Sequence, residues 1–248
     1  MSRPSADLLQ LLSGSLLFDA TSDNIKSIVN AQANLYIPSE LTLHTFCMKI
    51  PQPMVVVMFT WCGQNHESGK KYMQDILASM PPVAGSTVQE KSMVEHQEQI
   101  PLARLPYGSQ RSLYLREISP RLVDIIQDVV KTMPAESNLG WSMTTMADHP
   151  GMPPNTFGVD SHILFSFADT ASEEKLLQAA QQWTDELYER LRSSGEAAVM
   201  PGSYPPLTRP TDRSPEQLYG KKWERVKELK QKFDADNVFK WAAPKIVE

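Results

Sequence analysis

Short apolar runs of strand type alternate along the chain with longer stretches whose apolar positions recur at a helical spacing of about 3.6 residues. Leu16-Leu17-Phe18 reads as a strand. Ile25, Ile28, Val29, Gln32 and Leu35 then mark one face of a helix, with Ser22 or Asp23 as its cap. Two β-rich runs, Leu41 to Ile50 and Met54 to Trp61, are separated only by Pro51-Gln52-Pro53. A parallel crossover would need about a dozen residues, so this spacing predicts an antiparallel hairpin. Gly69, Tyr72, Met73, Ile76, Leu77 and Met80 share one face of a second helix, which Pro81-Pro82 stops.

The stretch 83–118 is polar and irregular and reads as loop, with one short strand near Leu113-Tyr114-Leu115. Ser119-Pro120 begins the next helix, Pro standing at its first position, and Leu122, Val123, Ile125, Ile126, Val129 and Val130 line its buried side. Trp141 to Met146 and His162 to Phe167 form another strand pair, joined through the Pro/Gly-rich loop His149 to Pro154. Thr170-x-x-Glu173 predicts a capping box for a long helix carrying Leu176, Leu177, Ala180, Trp183, Leu187 and Leu191, which Gly195 ends.

Helices interspersed with antiparallel strands, without a regular βαβ alternation, give an α+β fold: an antiparallel sheet with helices packed on one face. Strand alternation then divides Thr42, His44, Phe46 and Met48 from Leu43, Thr45 and Cys47. One set meets the helices and the other faces whatever the sheet is used for. Which set does which is not decided by the pattern.

Composition narrows the use of that face. With 248 residues and 41% hydrophobic side chains the chain can bury a core of its own, and it is read as a single domain over 1–248. A net charge of −5 offers no cationic surface, so neither nucleic acid nor a membrane is an expected partner. No apolar window approaches the roughly 20 residues of a spanning helix, and the interrupted run Leu8 to Leu12 is not a signal peptide, so a cytoplasmic protein is expected. Cys47 and Cys62 lack metal-ligand spacing and are read as buried free thiols.

The most specific signal is C-terminal, within 196–248. Tyr219-Gly220, Arg225, Lys230, Phe233-Asp234, Asn237 and Phe239 follow the order and spacing of the closing motif of berberine-bridge-type FAD-linked oxidases, which this segment resembles. The Leu41 to Trp61 hairpin followed by Gly63, the Pro106-Tyr107-Gly108 turn and the second hairpin with its long helix extend the likeness more loosely to that family's substrate-binding domain. The resemblance implies a substrate domain without its FAD-binding counterpart. Two departures accompany it: Tyr204-Pro205-Pro206 puts Pro206 where the family tends to carry an Asn near the flavin, and Asp234-Ala235 replaces Asp-Pro. No cofactor is therefore expected. On the residues alone, the closing motif reads as a capped amphipathic helix, with Tyr219, Val226, Leu229 and Phe233 packing and Asp234 and Asn237 ordering its exit.

Such a chain can still bind, position and polarise a hydrophobic small molecule. The five histidines show no metal spacing, but His44 and His162 each fall in a predicted strand, where this scaffold would hold them over a substrate. Tyr204, stiffened by the prolines that follow it, is a candidate donor to a substrate carbonyl. These three are the candidate catalytic residues. Phe46, Met48, Trp141, Met143 and Phe165 are the candidate substrate-binding residues, with core filling as the alternative for each. The function expected is a cofactor-independent cyclase or isomerase of Diels–Alder type, a pericyclase of secondary metabolism. The alternatives are a non-catalytic ligand-binding protein, the substrate-binding subunit of a split FAD-dependent oxidase, and a fragment of a longer oxidase. A homodimer through the sheet face, or loops folded over it, is expected to cover that apolar surface.

Overall fold

The computed structural model describes residues 10–49, 52–98, 108–134, 138–146, 162–171, 173–209 and 211–239. The His149 to Pro154 loop and residues 106–107 of the proposed turn lie outside them. An antiparallel sheet runs β1 (Gln10–Asp19), β2 (Leu41–Lys49), β3 (Pro53–Trp61), β4 (Gly85–Ser86), β5 (Gln89–Ser92), β6 (Gln110–Leu115), β7 (Asn138–Met146) and β8 (His162–Thr170) along the chain. In space the order is β4-β1-β3-β2-β7-β8-β6, with β5 also pairing β1. The fold is α+β, as the sequence pattern predicts.

Register explains the core. Leu41, Leu43, Thr45 and Cys47 of β2 stand opposite Trp61, Phe59, Val57 and Val55 of β3, and all eight are buried. They face α1 (Ser22–Ala33), α2 (His66–Ala78), α4 (Pro120–Lys131) and α5 (Glu174–Arg192), whose buried Ile25, Ile28, Ile76, Leu122, Ile126 and Leu187 belong to the same apolar cluster. The hydroxyl of Thr45, the polar member of the β2 set, donates to Gln32 Oε1 of α1. A buried hydroxyl without a partner would cost about 1–3 kcal/mol, which this bond offsets.

Local chemistry sets most helix starts. Ser119 Oγ accepts from the Leu122 N–H at 3.3 Å and Pro120 follows it, as expected. α1 is capped by Thr21, one residue ahead of the expected Ser22 or Asp23, through a 3.2 Å bond from the Asn24 N–H. The capping box at Thr170 does not form. Thr170 pairs with Asn138 as the last residue of β8, so the ladder claims it, and α5 starts later behind Glu173 with no side-chain cap.

Three further expectations are corrected. The stretch 83–118 holds β4, β5, α3 (Met93–Glu98) and β6, because its polar strands are specified by pairing with β1 and β8 rather than by local pattern. Cys47 is buried, its thiol pushed up to about 12 by burial, but Cys62 is exposed because it lies just past the end of β3. In α7 (Trp223–Phe233), which follows the short α6 (Pro215–Tyr219), no residue is buried and Phe233 is 73% exposed, so that helix does not pack as expected. Its exit is ordered as expected: the Asp234 carboxylate accepts from the Val238 N–H at 2.7 Å and from Lys230, and Asn237 adopts φ 51°. Among the described residues no helix is long and apolar enough to cross a membrane.

Candidate functional site on the open face of the sheet

The other face carries no large helix among the described residues. Alternation places Thr42, His44, Phe46 and Met48 of β2 there, and register extends the row. His44 lies between Met58 of β3 and Thr144 of β7; Thr144 stands opposite Leu164 of β8, and Leu164 opposite Tyr114 of β6. On the near side Met58 is opposite Ser15 of β1. At a strand spacing of about 4.8 Å, His44 and Tyr114 are three steps, roughly 14 Å, apart.

His44 is half-buried, with its ring edge-on to Phe46 at 5.6 Å and 76°. Burial lowers its pKa below 6.5, so the imidazole is neutral at pH 7. Its Nε2 is buried and has no hydrogen-bond partner among the described residues. A polar atom so placed costs about 1–3 kcal/mol until something satisfies it.

The far end is built around Tyr114. Its ring lies 4.2 Å from that of His162, and burial, then the neighbouring Tyr204, pushes its phenol up, so it remains protonated. The segment from Ala198 onward wraps β6, the edge strand. The Arg116 N–H donates to Ala198 O at 2.7 Å, the Met200 N–H to Tyr114 O at 2.9 Å, and the Tyr204 N–H to Ser112 Oγ at 3.0 Å. Gly202 allows this approach, since a Cβ there would come within 3.1 Å of the Tyr114 ring. The turn at Pro205–Leu207 closes on Tyr204, whose carbonyl accepts from the Leu207 N–H at 2.9 Å and Thr208 Oγ1 at 2.7 Å.

On the helix side an ion network fastens the same segment. Arg111 reaches Asp212 through Nε at 2.9 Å and Nη2 at 2.5 Å, and Asp185 through Nη1 at 2.7 Å. Arg209 bonds Asp185 at 2.6 Å and also Asp169, while Arg111 stacks over the Tyr188 ring at 3.6 Å. The network holds the backbone that carries Tyr204 against β6.

The structure thus brings His162 and Tyr204 together beside Tyr114, and sets His44 apart on the same face. Phe46 and Met48 share that face. Trp141, Met143 and Phe165 do not: pairing of Cys47 with Trp141, Thr45 with Met143 and Met143 with Phe165 aligns them with the helix-facing set. They are 1%, 0% and 0% exposed, and Trp141 stacks on Phe165 at 5.5 Å. The expectation that they line a binding face is corrected; they fill the core. Sequence reasoning missed the place of Tyr114 on this face and the Ser142–Ser166 hydroxyl pair at 2.6 Å. The parity of His44 carried through the hairpin register puts Met58, one of the strand methionines open to a core or a pocket reading, beside it.

At the β1 border a half-open cavity of about 610 Å³ is lined by Ser15, Met58, Thr87, Lys91 and His96, among others. Among the described residues no group of His, Cys, Asp or Glu is arranged to hold a metal ion.

Residues 205–244 match the family described as berberine and berberine like. The fold is similar to that of BBE-like 1 from Physcomitrella patens, with a TM-score of 0.74 at 13% identity, over 94% of this chain and 53% of that one. It is similar to aclacinomycin oxidoreductase at 0.76 and 11%, over 93% and 54%, and to a carbohydrate oxidase from Microdochium nivale at 0.69 and 16%, over 92% and 53%. The chain spans about half the length of the structures it matches. By sequence, no curated protein matches it. The likeness read from the closing motif is therefore also a likeness of fold over nearly the whole chain. For the flavin of such oxidases the described residues are a poor fit. None of the described helices starts at a Gly-rich loop that could cradle a pyrophosphate, and Pro206, without a side-chain donor or acceptor, occupies the turn where the resemblance would place an Asn.

Proposed function

We propose that this chain, whose closing segment and fold are those of the substrate-binding part of berberine-type oxidases, is a cyclase or isomerase that needs neither flavin nor metal. The reaction is of Diels–Alder type, and the substrate is a hydrophobic, polyunsaturated secondary metabolite held on the open face. The observation that carries this reading is His44, a neutral imidazole whose buried Nε2 has no partner, set among Phe46, Met48 and Met58.

In a Diels–Alder closure a diene and an alkene exchange two π bonds for two σ bonds, with no net transfer of electrons or protons. The protein then has two tasks. Holding the reacting carbons near contact supplies up to roughly 7–11 kcal/mol of the barrier. Donating a hydrogen bond from the His44 Nε2–H to a carbonyl conjugated with the alkene withdraws density as the bonds form, and such a donor is worth about 2.7–4 kcal/mol. Tyr204 and His162, beside Tyr114, offer polar groups for the far end of an extended substrate.

The test uses protein treated with EDTA and freed of flavin, incubated with a panel of linear trienones whose ring closure also proceeds slowly in buffer. Faster closure with a biased diastereomer ratio is expected, falling about 10²–10³-fold in His44→Leu and measurably in Tyr204→Phe. Wild-type rates and ratios equal to buffer, or both variants at full rate, would sink the reading.

A second, non-catalytic reading is a substrate-binding subunit that docks on a separate FAD-binding chain. It is favoured by the exposed apolar surface of the C-terminal segment, where Phe233, Val238 and Phe239 are 73%, 71% and 70% exposed. A stoichiometric yellow complex with a flavin-binding chain would favour it over the cyclase.

A further inference from the structure

We propose that a chloride ion, enclosed between Tyr188 and Arg213, pins the C-terminal segment to α5. Tyr188 belongs to the helix-side cluster, so the site is separate from the open face and its chemistry. Tyr188 is 1% exposed and Arg213 is half-buried. The Tyr188 hydroxyl oxygen and Arg213 Nε are both buried and have no hydrogen-bond partner among the described residues, where Arg213 also forms no ion pair. Buried donors without an acceptor are rare in folded proteins, and two beside each other call for one acceptor between them.

The two groups are brought together by a short chain of contacts. The Arg111 guanidinium lies over the Tyr188 ring at 3.6 Å, and Arg111 is tied through Nε and Nη2 to Asp212, the residue before Arg213. Both groups present hydrogens. The Nε–H of an arginine can only donate, and burial pushes the Tyr188 phenol up, so that it keeps its proton and can donate as well. Arg213 is the neighbouring charge that acts most on this phenol.

Charge decides what fills the place. Arg213, Arg111 and Arg192 act on the phenol from the positive side, and Asp212 alone from the negative. The Asp212 carboxylate is already engaged, accepting from Arg111 through both oxygens and from the Arg209 N–H at 3.3 Å. Arg192 lies 3.5 Å from Glu189. The Arg213 charge is left over. A water molecule would accept from both donors but leave that charge unanswered in a low-dielectric place, whereas an anion answers donors and charge together. Two converging donors in an enclosed position suit a monatomic anion better than a carboxylate or phosphate, whose further oxygens would need acceptor partners of their own. Trp61 and Trp141, whose Nε1 atoms are also without partners, carry no charge for an ion to answer.

The test is urea unfolding across a titration with sodium chloride, beside sodium gluconate at equal ionic strength, gluconate being too large for an enclosed site. With chloride at about nine times its dissociation constant, the folding equilibrium of the wild type should gain about tenfold over gluconate. Arg213→Met and Tyr188→Phe should lose most of that gain. In gluconate, Tyr188→Phe should be no less stable than the wild type, because it deletes an unpartnered hydroxyl and keeps the ring. Crystals grown with sodium bromide should show an anomalous peak between the Tyr188 hydroxyl and Arg213 Nε. Equal stability in the two salts, a chloride gain that both variants share, or no bromide at this place overturns the proposal. Should one variant fail to fold, the other and the bromide map decide it. Trienone turnover bears on none of these readouts, so the cyclase and the anion site stand or fall separately.

Discussion

The two faces of this sheet are built from the same strands, yet they leave their side chains in different states. Along β2, Leu43, Thr45 and Cys47 are at most 2% exposed and packed under helices, whereas His44, Phe46 and Met48 between them are half-buried and meet no large helix among the described residues. The covered face is close-packed, so its residues answer to volume. On the open face a polar atom, His44 Nε2, is held in place without a partner. Orphan polar atoms alone do not mark a site, since Trp61 and Trp141 Nε1 are also unpartnered within the core. His44 differs because it lies on the face that carries no large helix among the described residues.

The largest expected effect separates the faces directly. Trp141→Ala should destabilise the fold by about 3–5 kcal/mol, because it empties the volume of a buried indole stacked on Phe165. Phe46→Ala, one face away, should cost under about 1.5 kcal/mol because little of its environment is close-packed. Urea unfolding of both variants checks this. Equal costs would mean that Phe46 is a core residue and that the division into core and site is wrong.

A somewhat smaller contrast sits at the edge strand, between neighbours that point to opposite faces. Arg111→Met should cost about 3–4 kcal/mol, since Asp212 would be left buried without its bidentate partner. Ser112→Ala removes two bonds to the Tyr204 backbone, one accepted from its N–H at 3.0 Å and a longer one donated to its carbonyl at 3.4 Å, and should cost roughly 1–2 kcal/mol. Adding Asp212→Leu to Arg111→Met should recover a large part of the loss, which distinguishes an uncompensated charge from lost packing over Tyr188. A double variant no more stable than Arg111→Met would show that the stacking dominates.

These contrasts also show how far the sequence could be read. Periodicity gave both hairpins and the four large helices, because each is specified by its own apolar spacing. Parity separated His44, Phe46 and Met48 from Leu43, Thr45 and Cys47, but could not say which set faced the helices. Without the register across to β7 and β8, Trp141, Met143 and Phe165 stay open between pocket and core, and their register with Thr45 and Cys47 places them in the core. β5 and α3 were missed for a different reason: Gln89 to Ser92 is polar, and it becomes a strand only through distant pairing with Gln10 to Ser13. Lys91 and His96 lie on those two elements, so their place at the β1-border cavity has no local signal. The ion network was equally hidden, since Arg111 and Asp212 are about a hundred positions apart and meet only when the chain wraps β6.

The smallest predicted effect concerns pH, and it tests whether the buried state of His44 is real. Its folded pKa is lowered from 6.5 by burial. Above about pH 6.5 neither the folded nor the unfolded chain protonates this ring, so the stability is fully present there. As pH falls below that value the unfolded chain takes up a proton that the folded chain resists. Stability declines with acid until the folded pKa is passed, and then levels off. His96 is also lowered by burial and contributes in the same direction, while Glu90, Glu95, Asp128 and Asp234, all lowered by their partners, lose stability only at more acid pH. Comparison of urea midpoints at pH 7.5 and 5.5 in the wild type and in His44→Gln isolates the ring: the variant should be the less acid-sensitive of the two. If the two proteins lose stability in parallel, His44 is solvated in the folded state and the open face holds no desolvated donor.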